Sequence, residues 1–323
     1  MVSQERSDDL TRIFMPYASK RIDYARKNEI KFSHYTTAET AISIIDKQEI
    51  WLRNAVLMND FSEISHGHNC LAQSWHEPSM NKRLKSIFEA ISPDLYEKVT
   101  SKFDALDADR QLNTYMVSIS EHGNEHGWED KYGRLSMWRA YGGRTNVAFV
   151  FKSASFLKVQ PGVSAYSSPV AYEDSESFKS RFEEVLDSLE ANLDAIKELD
   201  SNQIERVIDW ALRFAVLSTK HPGFSEEREW RILYSPSWGA SKNIAAAHKV
   251  IGGVPQIIYK LKLENNPEFQ ISGFTIAEAL EEIIIGPTDT PWPIHEALAE
   301  KLTAIGVDNA MNKVRVSNIP LRR

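Results

Sequence analysis

Glu226-Glu227-Arg228-Glu229-Trp230-Arg231-Ile232-Leu233-Tyr234 sets three acids and two arginines at the mouth of an apolar run with the character of a core strand. Carboxylates at the start of such a strand are costly to desolvate unless they are paired or used for chemistry. Arg228 and Arg231 stand ready to pair them, and a plain ion-pair network is the reading without chemistry. Continued as a strand, the segment projects Glu227 and Glu229 to one face and Arg228 to the other. That makes a two-carboxylate wall. Such a wall suits an active site, and the segment locates that site without identifying its reaction.

Other residue groups carry weaker signals. His34 stands at a strand end ahead of a helix, in Ser33-His34-Tyr35-Thr36, where an imidazole either meets a ligand or bonds a nearby carbonyl. Ser118 and Ser120 alternate on one strand and offer hydroxyls. Arg139 and Arg144 bracket Tyr141-Gly142-Gly143, a geometry for bidentate contacts to a pyrophosphate, although glycine pairs are usually just turns. Trp138 and Tyr141 are aromatics that would suit stacking on a flat ring, although for any single tryptophan core packing with its polar edge satisfied is the commoner role. His66-Gly67-His68-Asn69-Cys70 puts His66 and Cys70 on one helix face. No second Cys/His cluster completes a four-ligand zinc site, and His122 and His126 lie in a loop without further ligands nearby in the sequence. Asn59, Asp60, Glu227 and Glu229 together have oxygen donors for a divalent metal, as in a phosphoesterase or nuclease, but no recognisable spacing. The chain has no P-loop, no G-x-S-x-G elbow and no G-x-G-x-x-G.

The elements that must position these residues follow from periodicity. Gln4 to Lys27 has a helical pattern. Lys31 to Thr36 reads as a strand, Ala38 to Lys47 as a helix capped by Thr37, and Glu49 to Arg53 as a second strand. Helices follow at Ser62–Ser74 and through 79–110, then a strand at Tyr115–Ser120. After a polar loop and a short helix-like Leu135–Tyr141 comes a buried strand, Asn146–Lys152. Pro169–Tyr172 is strand-like, and two long helices run about Ser175–Leu199 and Asn202–Thr219. Strands at Glu229–Tyr234, Gln256–Leu263 and Ala279–Ile285, a helix at His295–Ile305 and a terminal strand at Lys313–Pro320 complete the chain.

Strands at both ends with helices between predict an α+β fold, a single domain over residues 30–323 with helical insertions at 79–110 and 175–220. Residues 1–29 are expected to pack on it as an N-terminal helix. The insertions offer surfaces for covering a cleft, building a homo-oligomer or binding a partner. At 323 residues the chain can bury one large core or two modest ones, and 42% hydrophobic with 26% charged residues is ordinary for a globular protein. A net charge of −7 argues against a generic phosphate-backbone binder. One cysteine, Cys70, precludes an intrachain disulfide and fits a reducing compartment. A polar start and the lack of a long apolar run point to a cytoplasmic protein without a membrane partner.

Four segments taken in order resemble the domain-of-unknown-function family 2971, over roughly residues 30–320. They are His34-Tyr35-Thr36 with Ile44-Ile45 and Ile50-Trp51-Leu52; Met58-Asn59-Asp60; Ser118-Ile119-Ser120 joined by Ser136 to Gly142; and Phe224 to Ile232. Where that family usually shows Asn-Asp-Pro, this chain has Asn59-Asp60-Phe61. The His-aromatic-Thr strand and the acid opening a late strand also resemble the ADP-ribosyltransferase fold, whose split, mostly antiparallel sheet grips NAD. That resemblance implies NAD as substrate, with His34 on the adenosine ribose, flanked by Tyr35 and Thr36. It implies Glu229 or Glu227 as the catalytic acid and Tyr141 or Trp138 stacking on nicotinamide. Ser118, Arg139 and Arg231 complete the expected nucleotide contacts. The acceptor is a protein side chain or a nucleic acid, and the implied context is a bacterial toxin or anti-phage defence effector. Loss of turnover would leave a sensor or interaction module in which the Glu/Arg cluster is structural.

Overall fold

The computed structural model describes residues 4–58, 61–105, 113–141, 143, 145–158, 160, 162–239 and 241–320, excluding the side chains of 61–63 and 102–105. Asn59, Asp60, Gly142 and Arg144 therefore lie outside the described residues. The strands are β1 (Phe32–Thr37), β2 (Glu49–Asn54), β3 (Tyr115–Glu121), β4 (Asn146–Phe151), β5 (Tyr166–Pro169), β6 (Ala171–Tyr172), β7 (Thr219–Lys220) and β8 (Glu229–Tyr234). They continue with β9 (Ile244–Ile251), β10 (Val254–Lys262), β11 (Leu280–Ile285) and β12 (Val314–Val316).

Ten of these strands form one mixed sheet, antiparallel except where β12 runs parallel to β11. Strand β3 holds it together. Along one edge it pairs with β8 over its length, from Tyr115↔Tyr234 to Ser120↔Glu229. On the other edge it meets two different strands: β1 at Ser33↔Ser120 and Phe32↔Glu121, and β2 at Arg53↔Met116 and Asn54↔Tyr115. From Val117 to Ile119 that edge has no strand partner among the described residues, so the sheet splits. One flank continues through β1, β4, β11 and β12, and the other through β2, β10 and β9.

Apolar alternation fills both faces. Phe32, Ile119, Phe149, Trp230 and Ile232 belong to one core, into which the helix Ala38–Lys47 sends Ile44 and Ile45. Met116 and Leu233 face a second core built by helices Phe61–His76, Pro78–Ile91, Ser175–Ala191 and Ser201–Leu217. The two helical insertions thus pack as one layer, and Arg83 ties them by bonding Asp187 and Glu190. Gly67 lets two of these helices close up, because a Cβ there would lie 2.1 Å from the Val216 carbonyl oxygen. His66 Nε2 bonds the Glu173 carbonyl oxygen at 2.7 Å, within this layer.

Pro16 divides the N-terminal helical pattern into two helices, Gln4–Phe14 and Pro16–Lys27. They lie against the sheet and the helical layer, where the Tyr17 hydroxyl reaches the Val170 carbonyl and Arg26 the Leu157 carbonyl. Strand β9, unmarked by any apolar alternation in the sequence, forms a hairpin with β10. Among the described residues, no helix is long and apolar enough to cross a membrane.

Candidate functional site

The split opens into a cleft of about 790 Å³. On the β1 side its wall is the helix Ala38–Lys47, started by Thr37, whose hydroxyl accepts from the Thr40 N–H at 3.2 Å. On the β2 side Trp51 and Arg53 line it. The floor is β3 and the start of β8, and Met137, Tyr141 and Phe224 close the third side. Met137 and Tyr141 sit four residues apart on the short helix Leu135–Tyr141, so both reach the cleft.

His34 stands at the apex. Its Nδ1 donates to the Ser118 carbonyl oxygen at 3.1 Å, supplying the bond that the missing strand partner would have made. Burial holds the imidazole below its ordinary pKa, against the opposing pull of the Ser118 carbonyl. The ring is therefore neutral at pH 7, with Nε2 free of a proton.

Glu229 opens β8 as expected from its sequence, and every oxygen it offers is engaged. Oε1 accepts from the Ser118 hydroxyl and from Arg231 Nε at 3.0 Å; Oε2 accepts from Arg231 Nη2 at 3.1 Å and Lys220 Nζ at 3.5 Å. Its own N–H donates to the Tyr172 hydroxyl at 2.7 Å. Burial pushes the Glu229 carboxyl up, but Arg231, Lys220 and Ser118 more than offset it, and the group is held below the usual carboxylate range. Lys220 is itself buried, bonded to Glu227 at 2.6 Å, with the Phe224 ring 4.7 Å from its Nζ. Two acids and two bases thus form a compensated cluster on the cleft wall.

The expectation that Glu227 and Glu229 alternate along a strand fails. Residues Pro222–Glu227 form a 3-10 turn, and Arg228 takes a left-handed conformation with φ of 45°. Glu227 reaches the cleft from that turn, drawn in by Lys220. Arg134, which the sequence reading did not weigh, fixes the turn. Its buried guanidinium donates to the Glu227 carbonyl at 3.0 Å, the Ser120 hydroxyl at 2.6 Å and the Glu121 carbonyl at 3.0 Å. An arginine between a glycine and an apolar helix start gives no local signal of that role.

Of the other expected nucleotide contacts, Trp138 and Arg139 stand off the cleft, whereas Tyr35 and Arg231 reach its lining with their polar groups already engaged. Trp138 is buried behind the sheet, its indole N–H on the Tyr132 carbonyl and its ring against Tyr35 at 4.7 Å. A Cβ at Gly133 or Gly286 would strike it, so this tryptophan is a core residue with its polar edge satisfied. Tyr35 turns its hydroxyl to the Arg134 N–H. Arg139 is exposed and off the cleft wall. Arg231 is only 2% exposed, and besides Glu229 it bonds the Leu217 carbonyl at 2.6 Å, so its guanidinium is used inside the protein. His34, Tyr35, Thr36, Ser118, Tyr141, Glu227, Glu229 and Arg231 line one cleft.

Arg53 is the cation that sequence reasoning overlooked. It lies on the β2 lip with Nη2 on the Leu57 carbonyl at 3.0 Å, while its buried Nε has no hydrogen-bond partner among the described residues. Lys47 stands nearby on the cleft wall, its Nζ 5.9 Å from the Trp51 ring centre. His122 also has more company than its loop suggested. Its Nδ1 lies 2.7 Å from Ser33 Oγ and its Nε2 3.1 Å from Asp130 Oδ1. With Glu282 from β11 these donors fall within 4.8 Å of one another. Arg315 already holds Glu282 through Nη2 at 2.7 Å, which supplies the positive charge that the cluster calls for.

No curated protein and no solved structure matches the chain. The family model described as a protein of unknown function (DUF2971) matches residues 137–232, from Met137 on the cleft wall to Ile232 on β8, and over that span the resemblance to family 2971 holds.

Proposed function

We propose that the cleft binds a nicotinamide dinucleotide and that the protein is an ADP-ribosyltransferase-like enzyme. It would cleave NAD and pass the ADP-ribosyl group to a protein or nucleic-acid acceptor, or to water. One observation carries this reading: His34, Ser118, Tyr141 and Glu229 converge on a hollow of about 790 Å³ between the two flanks of a split sheet. That volume lies within the range of small-molecule and cofactor sites.

In the reaction the bond between ribose C1′ and the nicotinamide nitrogen breaks, and its electron pair leaves with nicotinamide. Positive charge develops on the ribose, and the Glu229 carboxylate, kept ionised and fixed by Ser118 and Arg231, is the group to stabilise it. The acceptor atom then bonds C1′ and gives up its proton, which Glu227 can take. Tyr141 and Phe224, 38% and 40% exposed, supply flat surfaces for the bases. Arg53 and Lys47 supply positive charge for the pyrophosphate, the part that Arg139 and Arg144 play in the sequence reading. A cytoplasmic toxin or anti-phage defence role belongs to the same proposal and rests on the fold resemblance alone.

Incubation with labelled NAD and cell extract tests it. Wild type should release nicotinamide, and Ser118→Ala or Glu229→Gln should cut the rate on the order of 100-fold or more. Release that ignores both substitutions would defeat the reading.

The saturation of all Glu229 oxygens favours a second reading, a binding module without turnover in which the cluster is structural. On that reading wild type binds nucleotide without releasing nicotinamide, and Glu229→Gln loses about 3 kcal/mol or more of stability.

A further inference from the structure

A second hollow lies on the opposite face of β8. It has a volume of about 380 Å³ and is roofed by the two N-terminal helices, which contribute Leu10, Ala18 and Ile22. Its floor is Ile50, Phe151 and Ile232 from the sheet. One end is aromatic: Trp210 and Phe214 meet Tyr166 at ring distances of 5.1 and 6.5 Å. An apolar space of this size is large for a packed interior, since a hollow of about 150 Å³ already accepts a benzene ring. The charges on its wall are unequal. Asp8 pairs with Arg26 at 3.0 Å, and Lys158 and Arg206 add two further cations.

We infer that this cavity is a binding site for a medium-chain carboxylate, with its hydrocarbon chain among the aromatic and aliphatic walls and its carboxylate at the basic rim. The volume suits a chain of roughly ten carbons. A cationic rim around an apolar chamber favours an amphiphile with an anionic head over a neutral hydrocarbon. Nothing in this assignment depends on what the split-sheet cleft binds.

Titration calorimetry and thermal melting of the full chain with decanoate and with decanol test it. Decanoate should bind one to one and raise the melting temperature, and decanol should bind at least fivefold more weakly. Ala18→Phe, which fills the chamber from the roof, should weaken decanoate at least tenfold. Arg206→Gln, at the exposed rim, should weaken decanoate several-fold and leave decanol unchanged. Absence of decanoate binding to wild type would overturn the site, as would unchanged binding to a folded Ala18→Phe. Equal binding of the alcohol and the acid, or an Arg206→Gln variant that binds decanoate like wild type, would overturn the headgroup assignment.

Discussion

The two hollows on either side of β8 are built from alternate residues of the same strand. Glu229 and Arg231 belong to the cleft; Ile232 belongs to the apolar cavity. On β2, likewise, Trp51 and Arg53 face the cleft, and Ile50 borders both spaces. The period of two that separates core from solvent in an ordinary strand here separates ionic chemistry from hydrocarbon. The cleft wall is braced by a cluster of mutually compensated charges, while the floor of the cavity is apolar packing and its few polar contacts lie at the roof. Mutations on the two sides should therefore differ in kind as well as in size.

The largest expected difference comes from removing one partner of the buried cluster. Arg231→Met leaves Glu229 buried without its bidentate partner and should cost about 3–5 kcal/mol in urea unfolding. Ile232→Val, one residue on and facing the cavity, should cost about 1 kcal/mol. Similar losses at both positions would break the contrast. Adding Glu229→Gln to Arg231→Met sharpens it, because removal of both charges should restore part of the loss.

An intermediate effect is expected from pH. His34 and His122 are both pushed below their ordinary pKa of 6.5, His34 by burial and His122 by burial against the pull of Asp130. Each is neutral in the folded state, and the unfolded chain takes up protons first. The stability these groups retain above about pH 6.5 is therefore lost as pH falls through the unfolded value towards the folded one. The slope is at most about 1.4 kcal/mol per pH unit for each histidine. His34→Gln should flatten the dependence and Ile232→Val should leave it unchanged, as equilibrium melts from pH 7.5 to 5 would show.

The smallest effect concerns the cleft wall. Thr37→Ala removes the cap of the helix Ala38–Lys47 and should cost about 1 kcal/mol, with weaker nucleotide binding by the cleft and unchanged decanoate binding by the cavity. A loss of both would mean that the two hollows are not separately supported.

Much of this arrangement is legible in the residues. Thr37 announces its helix, Val147 to Phe151 announce a buried strand, and the acids before Ile232 mark the cleft wall. What stays hidden has physical reasons. Ile244-Ala245-Ala246-Ala247-His248 is largely exposed on both faces in β9, so no alternation between inside and outside marks it as a strand. The left-handed turn at Arg228 rotates Glu227 out of the strand, and an arginine does not advertise positive φ as glycine would. Trp138 reads as core more readily than as a stacking platform, and the close approach of Gly133 and Gly286 decides for core. Arg134 and Arg53 act on segments roughly a hundred and a few residues away, respectively, through backbone carbonyls, which no side-chain pattern in the sequence records.

The imidazole of His34 has one more consequence. A sheet that parts in the middle leaves carbonyl groups on its central strand facing empty space, and such groups normally recruit another strand or pull the flanks together. Here a side chain from one flank meets the Ser118 carbonyl in advance. With that carbonyl already satisfied, it gives the two flanks no reason to close, and a guest entering the cleft need not supply this bond.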